Sequence, residues 1–436
     1  MHFSTIVVWL AVGAAGWTAN GCSSPAAQSS GSAPDGEAKP DSVDDSGGES
    51  TTVHATSSED ASASSRDASV SSTDAYSESS ASAAADGHVD DDGAEAGADV
   101  QPGDATAAPT DAGDALAPGV RIVARTAPGT TSGSVRFSWP GVSIQGRFTG
   151  TQVSMSLNDG NNGNRFTIAV DNGAPTTLTT TAATTLSLAS GLTNGSHDLV
   201  IWRNTEASIG VTEFLGLSGF GTGGGLTSAA AGPNRRLEVV GDSLSVGAGV
   251  QGDAACPKGI NAYTNNYLAY GSIAARAVGA DVSTIAWSGI GVYRNYDGST
   301  ADTMPVRYPY AIPNDDTPWN FSLYQPQVVV INLGTNDFGQ GDPGTPYEDA
   351  YVAFVKTIRS KYANAYFILV DMYGGIRLTR VNDVAAALKS GGETKVEVLS
   401  FSSAQNDLGC NQHPNVAGQA AMGSVLAAKL QALMGW

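Results

Sequence analysis

Two short stretches hold residues that could do chemistry together. "LEVVGDSLSVGAGV", Leu237 to Val250, is an apolar run that ends in Gly-Asp-Ser and then breaks into small residues. The pattern is that of a strand-to-helix turn, and such a turn can hold the Ser243 hydroxyl in the open at a strand end. A serine hydroxyl is a weak nucleophile until a base at hydrogen-bond distance accepts its proton. The chain has five histidines: His2, His54, His88, His197 and His413. Only His413 follows the serine. It opens the last helix-like stretch in "CNQHPNVAGQ", directly after a strand and a loop. Attack on a carbonyl also builds negative charge on its oxygen, which calls for two or three preorganised donors, each worth ~3 kcal/mol. The Ser243 backbone N–H is one. Gly289 in "AWSGIGV" can present its N–H with no side chain in the way, and Asn336 in "INLGTNDF" can donate a side-chain amide. Asp242 and Asp337 flank these residues and read as acceptors that organise loops rather than as catalytic acids.

Such residues need a frame that brings distant segments to one edge. From Arg236 onward, apolar runs at "RLEVV", "VSTIAW", "QVVVINLG", "AYFILVDM" and "KVEVLSF" alternate with helix-like stretches. The clearest helices are "PYEDAYVAFVKTIRSKYA", "RVNDVAAALKS" and the closing "PNVAGQAAMGSVLAAKLQALM". This alternation predicts βαβ units and a buried parallel sheet. In such sheets ligands sit at the carboxyl ends of the strands, where each candidate residue falls. Between Val120 and Gly223 the texture differs: short, often alternating runs such as "GVSIQGRFTG", "TQVSMSLND" and "SHDLVIWRNT" are broken by Gly, Asn, Asp or Pro. Repeated short strands of this kind predict an antiparallel sandwich. "VDNGAP" predicts a tight turn at Asn172-Gly173. The sandwich could bind sugar, but no cluster of exposed aromatics is legible in it, and a structural role is at least as well supported. Trp287, Tyr293, Tyr296, Trp319 and Phe338 lie near the motif loops and could stack on a sugar ring; core packing explains Trp287 equally well.

The formal charge of −20 is unevenly spread over the 436 residues. Through Pro118 there are 20 acidic residues against Lys39 and Arg66, while the remainder holds 22 acidic residues against 20 basic ones. No basic patch supports nucleic-acid binding. Residues 23–117 are Ser, Ala, Asp, Gly and Thr with almost no large apolar side chains, a composition that cannot bury enough surface to offset the entropy of ordering. They read as a solvated acidic tether. Residues 1–22, "MHFSTIVVWLAVGAAGWTANGC", read as an export signal. "ANGC" resembles a bacterial lipoprotein signal and implies lipidation of Cys22, with simple cleavage that removes Cys22 as the alternative. Lipidation would tether the protein without making it span a membrane. In an exported chain the remaining pair, Cys256 and Cys410, reads as a disulfide, with two buried free thiols as the alternative. No Cys/His cluster has metal-ligand spacing and no phosphate-binding loop is present.

Taken together, "GDSL" at 241–244, Gly289 in "SGIG", "GTND" at 334–337 and His413 in "HPN" resemble, in order, the four blocks of the SGNH (GDSL) hydrolases. The resemblance covers about 200 residues. Within that superfamily the chain resembles carbohydrate esterase family 2, whose members place a jelly-roll domain before the SGNH domain. The resemblance implies a flavodoxin-like, three-layer α/β hydrolase domain at 231–436, preceded by a β-sandwich at 118–230. It implies Ser243 as nucleophile, His413 as base, and Ser243, Gly289 and Asn336 as oxyanion donors, with Gly291 a neighbouring rival for Gly289. The activity implied is removal of acetyl groups from sugar hydroxyls of xylan- or mannan-type polysaccharides, by a cofactor-free and metal-free monomer. One position departs from the wider family: its acid three residues before the histidine is Cys410 here, and two residues before stands Asn411. A Ser–His dyad is therefore expected, with a backbone carbonyl or the Asn411 amide oxygen holding the ring, and Asp407 as the nearest fallback acid. A Cys256–Cys410 bridge would restrain the histidine loop where an acid contact is missing. The rival readings are an SGNH lipase or arylesterase with another acyl preference, and a non-catalytic carbohydrate-binding surface protein.

Overall fold

The computed structural model describes residues 119–160, 163–404 and 406–436. The export segment, Cys22 and the acidic tether lie outside the described residues. Eleven short strands come first: Val120–Val123 (β1), Ala127–Pro128 (β2), Val135–Phe137 (β3), Ser143–Gly150 (β4), Val153–Asn158 (β5), Arg165–Val170 (β6), Thr176–Thr179 (β7), Thr184–Ala189 (β8), Gly195–Arg203 (β9), Thr212–Ser218 (β10) and Gly225–Thr227 (β11). They form two antiparallel sheets, β1-β4-β9-β6-β7 with β11 beside β4, and β2-β3-β10-β5-β8. Alternation along the strands sends Ile144, Phe148, Val153, Met155, Leu157, Ile201 and Phe214 into a shared core between the sheets. Each such side chain contributes roughly 1.5–3 kcal/mol by leaving water. The turn in "VDNGAP" is centred one residue earlier than its Asn-Gly pair suggests. Asp171 and Asn172 take the left-handed conformation (φ 52° and 58°), and the Gly173 N–H donates to Val170 O at 2.8 Å. Both Asp and Asn tolerate positive φ, which lets them take the two central positions of the turn.

The second half is a parallel sheet of Arg236–Gly241 (β12), Asp281–Ala286 (β13), Val328–Asn332 (β16), Tyr366–Asp371 (β17) and Val396–Ser400 (β18), in the order β13-β12-β16-β17-β18. A small hairpin, Tyr310–Ile312 (β14) with Thr317–Pro318 (β15), lies outside it. The helices are Ser243–Val246 (α1), Tyr270–Ala277 (α2), Met304–Arg307 (α3), Thr345–Lys361 (α4), Gly375–Ser390 (α5) and Val416–Met434 (α6). The sheet is covered on both faces, which is why its strands read as continuous apolar runs. Leu237, Val239, Val330 and Ile368 pack against Tyr270, Met422 and Leu426 on one face. Val240, Val329, Ile331 and Leu369 pack against Tyr351, Phe354 and Val384 on the other. From β12 the chain moves to β13 on one side and then crosses back to β16 on the other. The crevice at the carboxyl end of β12 is thus the switch point where ligands bind in sheets of this order.

The sandwich is locked onto this sheet by buried polar contacts. Arg125, after β1, is fully buried and pairs with Glu238 of β12 at 3.2 Å. Tyr308 and Tyr362 donate to the same carboxylate at 2.6 and 3.1 Å, and the guanidinium also donates to Tyr308 O. Arg121 pairs with Asp281 at 2.6 Å, and Trp139 Nε1 donates to Tyr310 O at 3.1 Å.

Candidate active site

Ser243 begins α1 directly after β12. Gly241 closes the strand because a Cβ there would stand 2.1 Å from Ser245 Oγ and 2.9 Å from Asn332 O. Asp242 caps α1 by accepting the Leu244 N–H at 3.0 Å, and Gly247, at φ 77°, ends it after one turn. The short helix is braced from three sides. Asn266 Nδ2 donates to Ser245 O and Val246 O at 3.1 and 3.2 Å. Gln419 of α6 donates to Leu244 O at 3.1 Å, and Ser245 Oγ meets Tyr270 Oη at 2.7 Å. Ser243 itself is 7% exposed.

His413 arrives from the far edge of the sheet, in the loop between β18 and α6. Its Nε2 lies 2.8 Å from Ser243 Oγ. Its Nδ1 lies 3.1 Å from the backbone carbonyl oxygen of Asn411. A carbonyl can only accept, so Nδ1 carries the proton and Nε2 offers its lone pair to the serine hydroxyl. Burial holds the imidazole below its ordinary pKa, partly opposed by the Asn411 and Cys410 carbonyls. Asp407 is exposed, and its backbone carbonyl, not its carboxylate, joins the loop by accepting the Asn415 N–H at 2.8 Å. The loop is tightly wound. Asn411 and Gln412 both have positive φ (50° and 59°), and the His413 N–H donates to Cys410 O at 3.0 Å. Cys410 is fully buried and bonded to Cys256, with Cα atoms 5.0 Å apart. Room for it comes from Gly249 and Gly252, where a Cβ would stand 2.9 Å from Cys410 Cβ.

The candidate donors stand on the loops that follow β12, β13 and β16, three adjacent strands. Ser243 and Gly289 have backbone N–H groups with no protein acceptor among the described residues, whereas the Gly291 N–H is taken by Asn295 Oδ1 at 3.1 Å. Gly289 is at φ 81°, and its carbonyl accepts the Tyr296 N–H at 3.0 Å. Asn336 Nδ2 donates to Ile290 O at 2.7 Å and lies 3.4 Å from Asp242 Oδ2, which leaves its second hydrogen weakly engaged. The acids organise these loops. Asp337 accepts the N–H groups of Val292, Tyr293 and Arg294 at 3.1, 2.7 and 2.9 Å, and burial raises its pKa. Burial also pushes Asp242 up to about 7. Among the aromatics, Trp319 and Phe338 are core, Trp287 is half-buried under the Arg307 guanidinium, and Tyr296 is 68% exposed. Trp287, Gly289, Tyr296, Asp297, Asp302 and Arg307 line a cleft of about 240 Å³ in the loop that follows β13. The bracing residues Asn266 and Gln419 carry no local signal; each acts on a turn far away in sequence.

Comparison with known proteins matches both halves of the described chain. Residues 125–229 match the carbohydrate esterase 2 N-terminal family model, and residues 239–421 match the GDSL-like lipase/acylhydrolase family. The chain is 36% identical over 310 residues to the cellulase/esterase CelE of Acetivibrio thermocellus, covering 69% of this chain and 38% of that protein's length. It is 31% identical over 320 residues to an acetylxylan esterase / glucomannan deacetylase of Cellvibrio japonicus, covering 68% of this chain and 86% of that one. The structure of a family two carbohydrate esterase from Clostridium thermocellum in complex with cellohexaose superposes with a TM-score of 0.67 at 33% identity, covering 73% of this chain and all of that one. With both halves matched in the same order and two of these relatives covered over most of their length, the chain belongs to carbohydrate esterase family 2.

Proposed function

We propose that the protein is a carbohydrate acetylesterase whose crevice removes acetyl groups from sugar hydroxyls of xylan- or mannan-type polysaccharides. The observation that carries this reading is the 2.8 Å contact between Ser243 Oγ and a His413 ring that burial keeps neutral. His413 Nε2 takes the hydroxyl proton as Ser243 Oγ attacks the acetyl carbonyl. The oxyanion that forms is met by the N–H groups of Ser243 and Gly289 and by the Asn336 amide. Collapse expels the sugar oxygen, which takes the proton from His413 and leaves an acetylated serine. Water then attacks, giving its proton to the same nitrogen, and acetate leaves as the proton returns to Ser243. The imidazolium that forms twice is held by the Asn411 carbonyl in place of a carboxylate. Tyr296, exposed at the cleft beside Gly289, gives a platform for a sugar ring.

The relatives named for acetylxylan and glucomannan, and the cellohexaose complex of another, support a linear polysaccharide substrate. Export through residues 1–22, with Cys22 lipidated and residues 23–117 as the spacer, would place the esterase at the cell envelope. The test is release of acetate, against longer acyl chains, from aryl esters and acetylated xylan, with Ser243→Ala as control. Acetate from wild type alone is the expected result. Preference for long chains points instead to a lipase, and no ester cleavage to a binding protein.

A further inference from the structure

The connection between β9 and β10 of the sandwich presses against the loops at the carboxyl end of the parallel sheet. Asn204 O accepts the Asn266 N–H at 3.1 Å, and Ala207 O accepts the Asn314 side-chain amide at 2.9 Å. Ala207 is itself fully buried in the core on one face of that sheet. Between them stands Glu206, 3% exposed. Its Oε2 accepts the backbone N–H of Ser288 at 3.0 Å.

We propose that Glu206, a residue of the sandwich, is a positioning residue for ester hydrolysis: it fixes the peptide at Ser288 so that the Gly289 N–H faces the oxyanion. This rests on the esterase reading of Ser243. The planar peptide that carries the Ser288 N–H is separated from the one carrying the Gly289 N–H only by the two soft dihedrals of Ser288. The other side-chain anchors of this loop all act later: Asn336 holds Ile290 O, and Asp337 holds Val292, Tyr293 and Arg294. Upstream, the Trp287 N–H reaches Gly241 O at 3.2 Å, which leaves Ser288 to Glu206. Without that acceptor the part-buried amide would lose its protein partner and the turn would be free to rearrange. Burial holds the Glu206 carboxyl above the usual carboxylate range, a cost that a side chain without charge would avoid. A second arm from the sandwich reaches the nucleophile. Trp202 Nε1 donates to Asn266 Oδ1 at 3.2 Å, and that same Asn266 holds the Ser245 and Val246 carbonyls of α1.

The experiment compares Glu206→Gln, Glu206→Asp and Glu206→Ala in the full chain with wild type and Ser243→Ala. It reads kcat and KM on an acetyl ester, the affinity of a boronic acid that mimics the tetrahedral intermediate, and the unfolding midpoint. Glu206→Gln keeps an oxygen acceptor at the same reach and is expected within ~3-fold of wild type. Glu206→Asp keeps the charge but withdraws it by one methylene. Displacement of a catalytic group by about 1 Å costs up to ~10²-fold, so Asp and Ala are expected to lower kcat ~10- to 100-fold with little change in KM. Boronate affinity should fall by the same factor as kcat/KM. Asp and Ala variants with wild-type kcat, or with losses that only follow the folded fraction, overturn the proposal while Ser243 stands. A wild type inactive on every ester overturns the esterase reading and this proposal with it.

Discussion

His197 in the sandwich and His413 in the α/β layer share a side chain and little else. His197 Nδ1 lies 2.6 Å from Asp171 Oδ2 and its Nε2 lies 2.8 Å from Thr193 O. Both partners accept, so both ring nitrogens are best protonated, and the Asp171 hydrogen bond holds this histidine above its ordinary pKa. Among the described residues no carboxylate bonds to His413, which sits below its ordinary pKa through burial and aims a lone pair at Ser243. The pair teaches that a carboxylate behind an imidazole is not what makes a base. His197 has the acid of a catalytic triad and no nitrogen left to accept a proton. His413 has the neutral ring, the tautomer and the nucleophile.

The contrast breaks most visibly through activity. Ser243→Ala and His413→Ala should each lower kcat by at least ~10⁴-fold in an acetate-release assay, whereas His197→Asn should leave kcat unchanged. Equal losses at both histidines would erase the distinction. Next in size is the loop that carries His413. Reducing Cys256–Cys410, which closes 154 residues, should cost about 2–4 kcal/mol in a denaturant titration and lower kcat as the loop loosens. Two thiols titrating with no shift in midpoint would show that the bridge contributes nothing.

Acidity sharpens the comparison further. With His413 as the proposed base, its depressed pKa means that kcat/KM should fall only as the pH drops below the ordinary histidine value of about 6.5. A limb centred above ~7 would imply a carboxylate behind the ring. Stability moves in opposite directions for the two rings. The raised pKa of His197 contributes stability that is full below its unfolded pKa and is lost as pH rises through its folded one. The depressed pKa of His413 favours the fold above its unfolded pKa, and that contribution is lost as pH falls through its folded one. The destabilisation caused by His197→Asn, read from unfolding midpoints, should therefore be larger at pH 6 than at pH 9. The smallest effect is also the most pointed. Asp407→Asn should change kcat by less than ~2-fold, where neutralising a triad acid costs ~10⁴-fold.

Much of the candidate site was legible in the residues. Ser243, Gly289 and Asn336 announce themselves because each closes an apolar strand with a turn, and His413 because no other histidine follows the serine. The parallel sheet followed from βαβ alternation, since both faces of such a sheet must be covered. What stayed hidden acts through groups or distances that leave no mark in the order of residues. The carbonyl behind His413 is a backbone atom, brought into place by positive φ at Asn411 and Gln412 rather than by a side-chain type. Arg125 with Glu238, Trp202 with Asn266, and Glu206 with Ser288 are each separated by more than 60 residues and join different layers. The turn centres on Asp171-Asn172 rather than on the Asn-Gly dipeptide because Asp, like Asn, accepts the left-handed conformation there.

The buried pair between Arg125 and Glu238 also has a consequence for inheritance. Glu238 lies inside β12, on a face that would otherwise be apolar, and its guanidinium partner is supplied by the preceding layer. An α/β half recombined onto another chain would carry a carboxylate into its own core without a counter-charge, at a cost of about 3–5 kcal/mol. Against a typical total of ~5–15 kcal/mol, that is enough to remove many such recombinants from the folded population. The two halves look like interchangeable cassettes in cartoon outline, yet lineages that exchanged one would have had to replace Glu238 in the same step or soon after.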